Sequence, residues 1–373
     1  MRVLIISLRA GEGHVKAAEA LEQAFNLKYP LVQVKRVDFF EYSSKMIKNL
    51  YGDLYLVVAK HTPRLHNFLY ETLQLIKSKP ATYGRTFFDT INAQPLLRLV
   101  DEFCPDVIIC THPIPANVVR AHVPRLPLVV TVTDYELHRL WIETLADLYI
   151  VACPEVKQKM IKEGVPASRI YSLGIPLRLE FAKALGKKAA RRALGLADIF
   201  TVFILAGSFG SSPVEKILPL FRKISLPFQV LVVTGKNQEL FSCLEKMKKN
   251  LLFPVRLFGF TDKIAELMSA SDVLISKPGG LTVTEALAKN LPMIMIKGFA
   301  GQEEANARYM VQKGCALAAS SAHDIPSLLD QMIKDPSVLK NLRQHMRLVA
   351  HPRSSFEAVA LVWKKFLARA RLN

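Results

Sequence analysis

Short apolar runs alternate along the chain with longer amphipathic stretches, the βαβα signature of parallel sheets covered by helices on both faces. In the first half, Val3–Ser7, Val32–Val37, Val107–Cys110, Leu128–Thr133, Leu148–Val151 and Ile170–Leu173 read as strands, and the spacing predicts a helix over His14–Tyr29. The series restarts in the second half. There Thr201–Ala206, Gln229–Thr234, Val255–Phe258, Val273–Ser276 and Met293–Ile296 read as strands, separated by helical patterns at Ser212–Ile224, Thr282–Lys289 and Glu303–Lys313. The pattern breaks near Pro176–Leu196, where Gly174, Pro176, Gly186 and Gly195 accompany the charge cluster Lys187-Lys188-Ala189-Ala190-Arg191-Arg192. Two doubly wound α/β units in tandem are expected, and such units take ligands at the carboxyl ends of their strands.

Composition agrees with this reading. Half of the 373 residues are hydrophobic, enough for a sizeable core, which excludes a disordered tail, a coiled coil or a collagenous rod. The longest apolar runs (Phe200–Gly207, Leu54–Ala59, Leu291–Ile296) fall far short of the ~18–20 residues that span a bilayer. Val3–Leu8 is too short for the apolar core of a signal peptide and runs straight into a glycine motif. Cys104, Cys110, Cys153, Cys243 and Cys315 form no C-x-x-C pair, so neither a zinc site nor a disulfide framework is expected. These features predict a cytoplasmic chain.

Charge adds a partner class. The formal net charge is +18, and residues 187–373 carry 27 basic against 14 acidic side chains, so an anionic partner is favoured. A solvated helix face accounts equally well for a charge run taken alone.

Three strand-to-helix loops carry the candidate chemistry. Ser7-Leu8-Arg9-Ala10-Gly11-Glu12-Gly13-His14 opens a helix with glycines that admit a ligand to backbone N–H groups. It is not a dinucleotide fingerprint, because Lys16 stands where the third glycine belongs. His14, at the turn into the helix, is either a cap or a cleft residue. Leu205-Ala206-Gly207-Ser208-Phe209-Gly210-Ser211-Ser212 is a plausible phosphate cradle in the second half. The third loop is the most specific. A strand ends in Pro278-Gly279-Gly280, a helix opens with Thr282 and Thr284, and Glu285 stands about one turn in, where a carboxylate can accept both ribose hydroxyls. Beyond the next strand, Gly301-Gln302-Glu303-Glu304 opens another helix.

The pair Pro-Gly-Gly-Leu-Thr-x-x-Glu-Ala-Leu and Gly-Gln-Glu-Glu-x-Asn resembles the nucleotide-sugar site of family 28 glycosyltransferases. Within them it is most similar to monogalactosyldiacylglycerol synthases and the bacterial diacylglycerol glucosyltransferases. Gly11-Glu12-Gly13-His14 with Ala17-Ala18, the stretch Thr133–Trp141, and Gly259-Phe260 through Asp272 carry the same resemblance, which runs from Met1 to about Ala319. It implies a GT-B fold: two Rossmann-like doubly wound domains facing a central cleft. The expected organisation is an acceptor and membrane domain over 1–180, a nucleotide-sugar domain over 181–345 and a basic terminal helix over 346–373 that packs back on the first domain.

The resemblance also implies roles. Glu285 would bind the ribose and Phe260 the uracil, largely through its backbone. Gly279, Gly280, Leu281 and Thr282 would face the diphosphate, with Gly207 and Ser208 opposite. Gln302 and Glu303 would bind the sugar hydroxyls, supported by Asn306. His14 would be the general base and Asp134 an orienting group or the alternative base. Relatives often have a run of glycines where this chain has Ala206-Gly207-Ser208.

The implied reaction is inverting hexosyl transfer from a UDP-sugar, galactose or glucose, to diacylglycerol, giving a β-glycoside. No Asp-x-Asp motif appears in the donor loops, so no metal or other cofactor is expected. Residues 39–88 hold ten aromatic and seven basic residues, which suits a helix at an anionic lipid interface on the cytoplasmic face of a membrane. The rival readings are an N-acetylglucosaminyltransferase acting on a lipid-linked peptidoglycan precursor, and a UDP-sugar epimerase. No nucleic-acid module is present, and the oligomeric state stays open.

Overall fold

A computed structural model describes residues 1–9, 12–43, 94–207, 212–296 and 301–368. The interfacial stretch expected within 39–88 lies outside the described residues beyond Ser43, as do Ser208, Gly210 and Ser211. Two compact units emerge: Met1–Leu179 with Ala300–Gln302 and Arg353–Asn373, and Glu180–Phe299 with Glu303–Pro352.

In the first unit, β1 (Arg2–Ser7), β2 (Gln33–Asp38), β3 (Val107–Cys110), β4 (Leu128–Thr131), β5 (Leu148–Val151) and β6 (Ile170–Ser172) form one parallel sheet in the order β2-β1-β3-β4-β5-β6. In the second, β7 (Phe200–Leu205), β8 (Phe228–Val233), β9 (Val255–Phe258), β10 (Val273–Ser276), β11 (Met293–Met295) and β12 (Ala316–Ala318) run in the order β12-β11-β10-β7-β8-β9. Every strand expected from the apolar pattern is present. Central strands such as β3, β4 and β10 are buried throughout, as parallel strands covered on both faces must be.

The order reverses between β1 and β3 in one sheet and between β7 and β10 in the other. At such a switch point, neighbouring strands send their following helices to opposite faces and leave a crevice at their carboxyl ends. That geometry decides which loops can reach a ligand.

Three local readings need correction. The edge strand β12 has the sequence Ala-Leu-Ala, without the β-branched residues that signal a strand. The helix expected over Ser212–Ile224 is an α-turn, Val214–Ile217, that tightens into a 3₁₀ segment, Leu218–Lys223, because Pro219 offers no N–H. The strand expected over Leu128–Thr133 ends at Thr131, which leaves Thr133 and Asp134 in the loop beyond it.

The first unit is closed by the end of the chain. The Ser354–Val362 helix packs on the Glu12–Lys28 helix, adding Ala358, Val359 and Val362 to the core of Val3, Ile5, Leu21 and Phe25. Ser354 Oγ donates to the Ile175 carbonyl (2.8 Å) and Ser355 Oγ to that of Leu177 (2.5 Å), and Trp363 stacks on Tyr29 at 4.4 Å.

Candidate active site

His14 lies in the first turn of the Glu12–Lys28 helix, directly beyond β1, and Thr111 and His112 follow β3. The switch point therefore brings them together although they are 97 residues apart in sequence. His14 Nδ1 is 2.8 Å from the Thr111 carbonyl oxygen and 2.9 Å from Thr133 Oγ1, while Thr111 Oγ1 donates to the His14 carbonyl (2.9 Å). A carbonyl only accepts, so Nδ1 carries the proton and the lone pair resides on Nε2. Burial lowers the His14 pKa to about 4, against a smaller opposing effect of the Thr111 hydrogen bond, so the ring is neutral at pH 7.

The surrounding rings hold it in place. His112 meets His14 edge-on at 4.7 Å, and Trp141, fully buried, stands 6.4 Å from it. His112 Nδ1 accepts from Ile114 N (3.2 Å), capping the Pro113–His122 helix. Burial keeps its pKa well below the usual histidine value, reinforced by His14 and His138. The sequence reading missed His112; the available signal was its place, as Thr-His-Pro, immediately after a strand. Asp134 is buried as well, and burial raises its carboxyl pKa to about 7. Gln302, which groups with this unit, donates through Nε2 to Asp134 Oδ2 (2.8 Å).

In the second unit, Gly207 stands two residues beyond β7 with φ +81°, a backbone that disfavours any residue with a Cβ. Ser212, further along that loop, is buried and its Oγ makes no hydrogen bond. Across the switch point, Pro278-Gly279-Gly280 follows β10. Gly279 is the N-cap of the Gly280–Ala288 helix, with φ −64° and ψ 140°, which any residue adopts. A Cβ there would meet only Thr282 Oγ1, at 3.9 Å. Nothing inside the unit requires glycine at 279, which leaves room for a ligand as its use. Gly279→Ala is accordingly expected to change stability by less than ~0.5 kcal/mol and to weaken UDP binding about tenfold (about 1.4 kcal/mol), read by thermal unfolding and titration calorimetry.

Leu281 and Thr282 lie in the first helical turn; Glu285 is buried about one turn in. Asn306 Nδ2 donates to the Pro278 carbonyl (3.0 Å) and fixes the turn from behind. Glu303 opens the Gln302–Gln312 helix and faces Lys277, whose pKa burial lowers and Glu303 partly restores. Lys277, directly after β10, was not singled out by the sequence reading. Phe260, beyond β9, is 60% exposed with the Lys236 ammonium 5.4 Å above its ring.

Two Rossmann-like units, each with a switch point at the carboxyl ends of its strands, make up the two-domain GT-B fold. MurG of Acinetobacter baumannii, aligned over 97% of this chain and 99% of its own at 15% identity, gives a TM-score of 0.66. The UDP-GlcNAc 2-epimerase of Neisseria meningitidis bound to UDP-GlcNAc gives 0.62 at 16% identity, over 98% of this chain and 99% of its own. At such identities the likeness establishes the fold.

The sequence goes further. Residues 14–177 match the family model for monogalactosyldiacylglycerol (MGDG) synthase, and residues 201–355 that for the glycosyltransferase family 28 C-terminal domain. A processive diacylglycerol beta-glucosyltransferase of Bacillus cytotoxicus is 32% identical over 97% of this chain and 93% of its own length; one of Bacillus mycoides is 31% identical over 94% and 90%. The chain belongs to the family 28 glycosyltransferases of the monogalactosyldiacylglycerol synthase and bacterial diacylglycerol glucosyltransferase type.

Proposed function

We propose that the chain transfers glucose from UDP-glucose to the hydroxyl of diacylglycerol at the surface of a membrane, with inversion to a β-glucoside. The observation that carries the reading is His14: a neutral imidazole at a switch point, its Nδ1 committed to the Thr111 carbonyl and its Nε2 available as a base. Full-length similarity to diacylglycerol beta-glucosyltransferases supports glucose and this acceptor. Nε2 takes the proton as the acceptor oxygen attacks the anomeric carbon, and UDP leaves from the opposite face.

Glu285 holds the ribose hydroxyls and Phe260 the uracil. The N–H groups at Gly280, Leu281 and Thr282 meet the diphosphate at a helix N-terminus, where an anion is favoured. Gly207 and Ser208 face it from the other loop, where the orphaned Ser212 hydroxyl is a further donor. Gln302 and Glu303 read the sugar hydroxyls. Helix N-termini thus take the leaving-group charge, so no metal is required and activity is expected to survive EDTA unchanged.

Access to the acceptor is peripheral. No helix among the described residues is long and apolar enough to cross a membrane. We place the first unit on anionic lipid at the cytoplasmic face, drawn by the basic surplus of the chain.

The deciding assay measures UDP release with anionic vesicles containing diacylglycerol, offering UDP-glucose and UDP-galactose separately. Release from UDP-glucose that needs diacylglycerol and is lost in Glu285→Ala is expected; release from UDP-galactose alone would change the sugar. The acid limb of kcat/KM identifies the base, because that ratio reports the free enzyme. With His14 as base, kcat/KM holds as pH falls until about 4, where the ring protonates. With Asp134 as base, it declines below about 7.

A further inference from the structure

His112 takes no part in the chemistry above, yet it stands beside the base. Its Nδ1 accepts from Ile114 N (3.2 Å), so in the neutral ring the proton sits on Nε2. His14 is the opposite case, with its proton on Nδ1 towards the Thr111 carbonyl and its lone pair on Nε2. Two backbone groups thus fix two imidazoles in opposite tautomers. One offers an acceptor and the other a donor, with ring centroids 4.7 Å apart and planes at 84°.

The pair is held as a unit. Trp141, only 2% exposed, stands 6.4 Å from His14 and 6.3 Å from His112. Both histidines are partly exposed, so a ligand can reach the rings. Burial, with His14 and His138 nearby, keeps His112 neutral at working pH, and a neutral ring keeps its donor on Nε2.

The helix start at His112 narrows the ligand further. Leading N–H groups of a helix are ordinarily open to an anion. Here Pro113 and Pro115 have none, and that of Ile114 is taken by His112. An anionic head would meet neutral rings and few amides. A simple alcohol would use His14 and leave the His112 N–H unanswered. An acylglycerol with a free hydroxyl supplies both partners: its O–H for His14 and, on the neighbouring carbon, an ester carbonyl for His112.

We propose that the Nε2–H of His112 binds the ester carbonyl next to the reacting hydroxyl, so that this residue selects acylglycerols over lipid alcohols that lack the ester. The proposal rests on the reading of His14 as the base and diacylglycerol as the acceptor. No bond forms or breaks at His112, and the hydroxyl proton still passes to His14 Nε2. What His112 adds is a second point of attachment, which turns the hydroxyl towards that lone pair.

His112→Asn tests this, because asparagine is a favoured N-cap residue and keeps an oxygen for Ile114 N while removing the ring's distal N–H. Each preparation is assayed with UDP-glucose on vesicles carrying diacylglycerol or its dialkyl ether analogue, so the ratio does not depend on how much protein is folded. The wild type should prefer the ester about tenfold in kcat/KM, and the variant should bring that ratio to about one, with the loss falling on the ester. An even ratio in the wild type, an unchanged ratio in the variant, or a variant inactive on both lipids would overturn the proposal. Nitrogen NMR on histidine-labelled protein, with excess UDP and no donor sugar, needs no turnover. The signal lost in His112→Asn should show its proton on Nε2, and that nitrogen should shift with short-chain diacylglycerol but not with the ether analogue. A proton on Nδ1, or no shift, would overturn the proposal. If that shift occurs but the wild type transfers no glucose, the glucosyltransferase reading falls and the role of His112 in holding the ester stands.

Discussion

His14→Ala is expected to lower kcat for glucosyl transfer about 10²–10⁴-fold, the range a positioned general base supplies, while affinity for UDP stays as in the wild type. The two readouts part because His14 belongs to one unit and Glu285, Gly279 and Gly280, the residues proposed to hold the nucleotide, to the other. The substitution also leaves the Thr111 carbonyl without its donor, at a cost of ~1–3 kcal/mol. His14→Gln, which can still donate to that carbonyl but cannot take a proton at neutral pH, separates the chemical loss from the structural one. Steady-state rates and UDP calorimetry on both variants check this. A glutamine variant that retains activity would move the proton to another acceptor, with Asp134 first in line.

Asp272→Ala should cause the largest loss of stability, about 3–5 kcal/mol, read as a fall in Tm of about 6–20 °C for a domain of this size. Asp272 Oδ2 accepts from Arg191 Nη2 (2.6 Å) and from Thr201 N (2.8 Å), and Oδ1 pairs with Lys187. Arg191 is itself only 6% exposed and donates through Nε to the Ala270 carbonyl (3.0 Å). Removing the carboxylate leaves a buried N–H without its acceptor and a buried guanidinium with only the half-exposed Asp198 (Nη1 to Oδ1, 2.6 Å) and the Ala270 carbonyl. Replacing both partners with apolar side chains of similar volume, Asp272→Leu with Arg191→Met, should restore most of the loss, because the desolvation penalty goes with the charges. A double variant as unstable as the single would show that the guanidinium's bonds to Ala270 and Asp198, not its pair with Asp272, hold this corner.

That network marks where the sequence stops being legible. The run Lys187-Lys188-Ala189-Ala190-Arg191-Arg192 has the look of a solvated linker, yet Arg191 turns inward and anchors the start of β7. Its partner lies 81 residues away, and no local pattern encodes such a pairing. His14 and His112 pose the same difficulty: each was visible as a histidine beyond a strand, but only the strand order β1-β3 makes them neighbours. What could be read was whatever repeats at short range. Period and apolarity predicted the strands, and strand-glycine-helix spacing predicted the turn at Gly279. Where local chemistry was atypical, as in the alanine-rich β12 or at Pro219, the reading slipped.

The packing of Ser354–Val362 on the Glu12–Lys28 helix bears on synthesis. A ribosome releases the amino-terminal half first, yet the outer side of the helix that carries His14 is covered only once residues 354–367 have been made. The unit begun first is therefore finished last, after the unit that starts at Glu180 has been made in full. Until then, the side of that helix that meets Ala358, Val359 and Val362 stays uncovered in the nascent chain, and a stop codon placed just before Arg353 would release a protein whose second unit is whole but whose histidine helix is not braced.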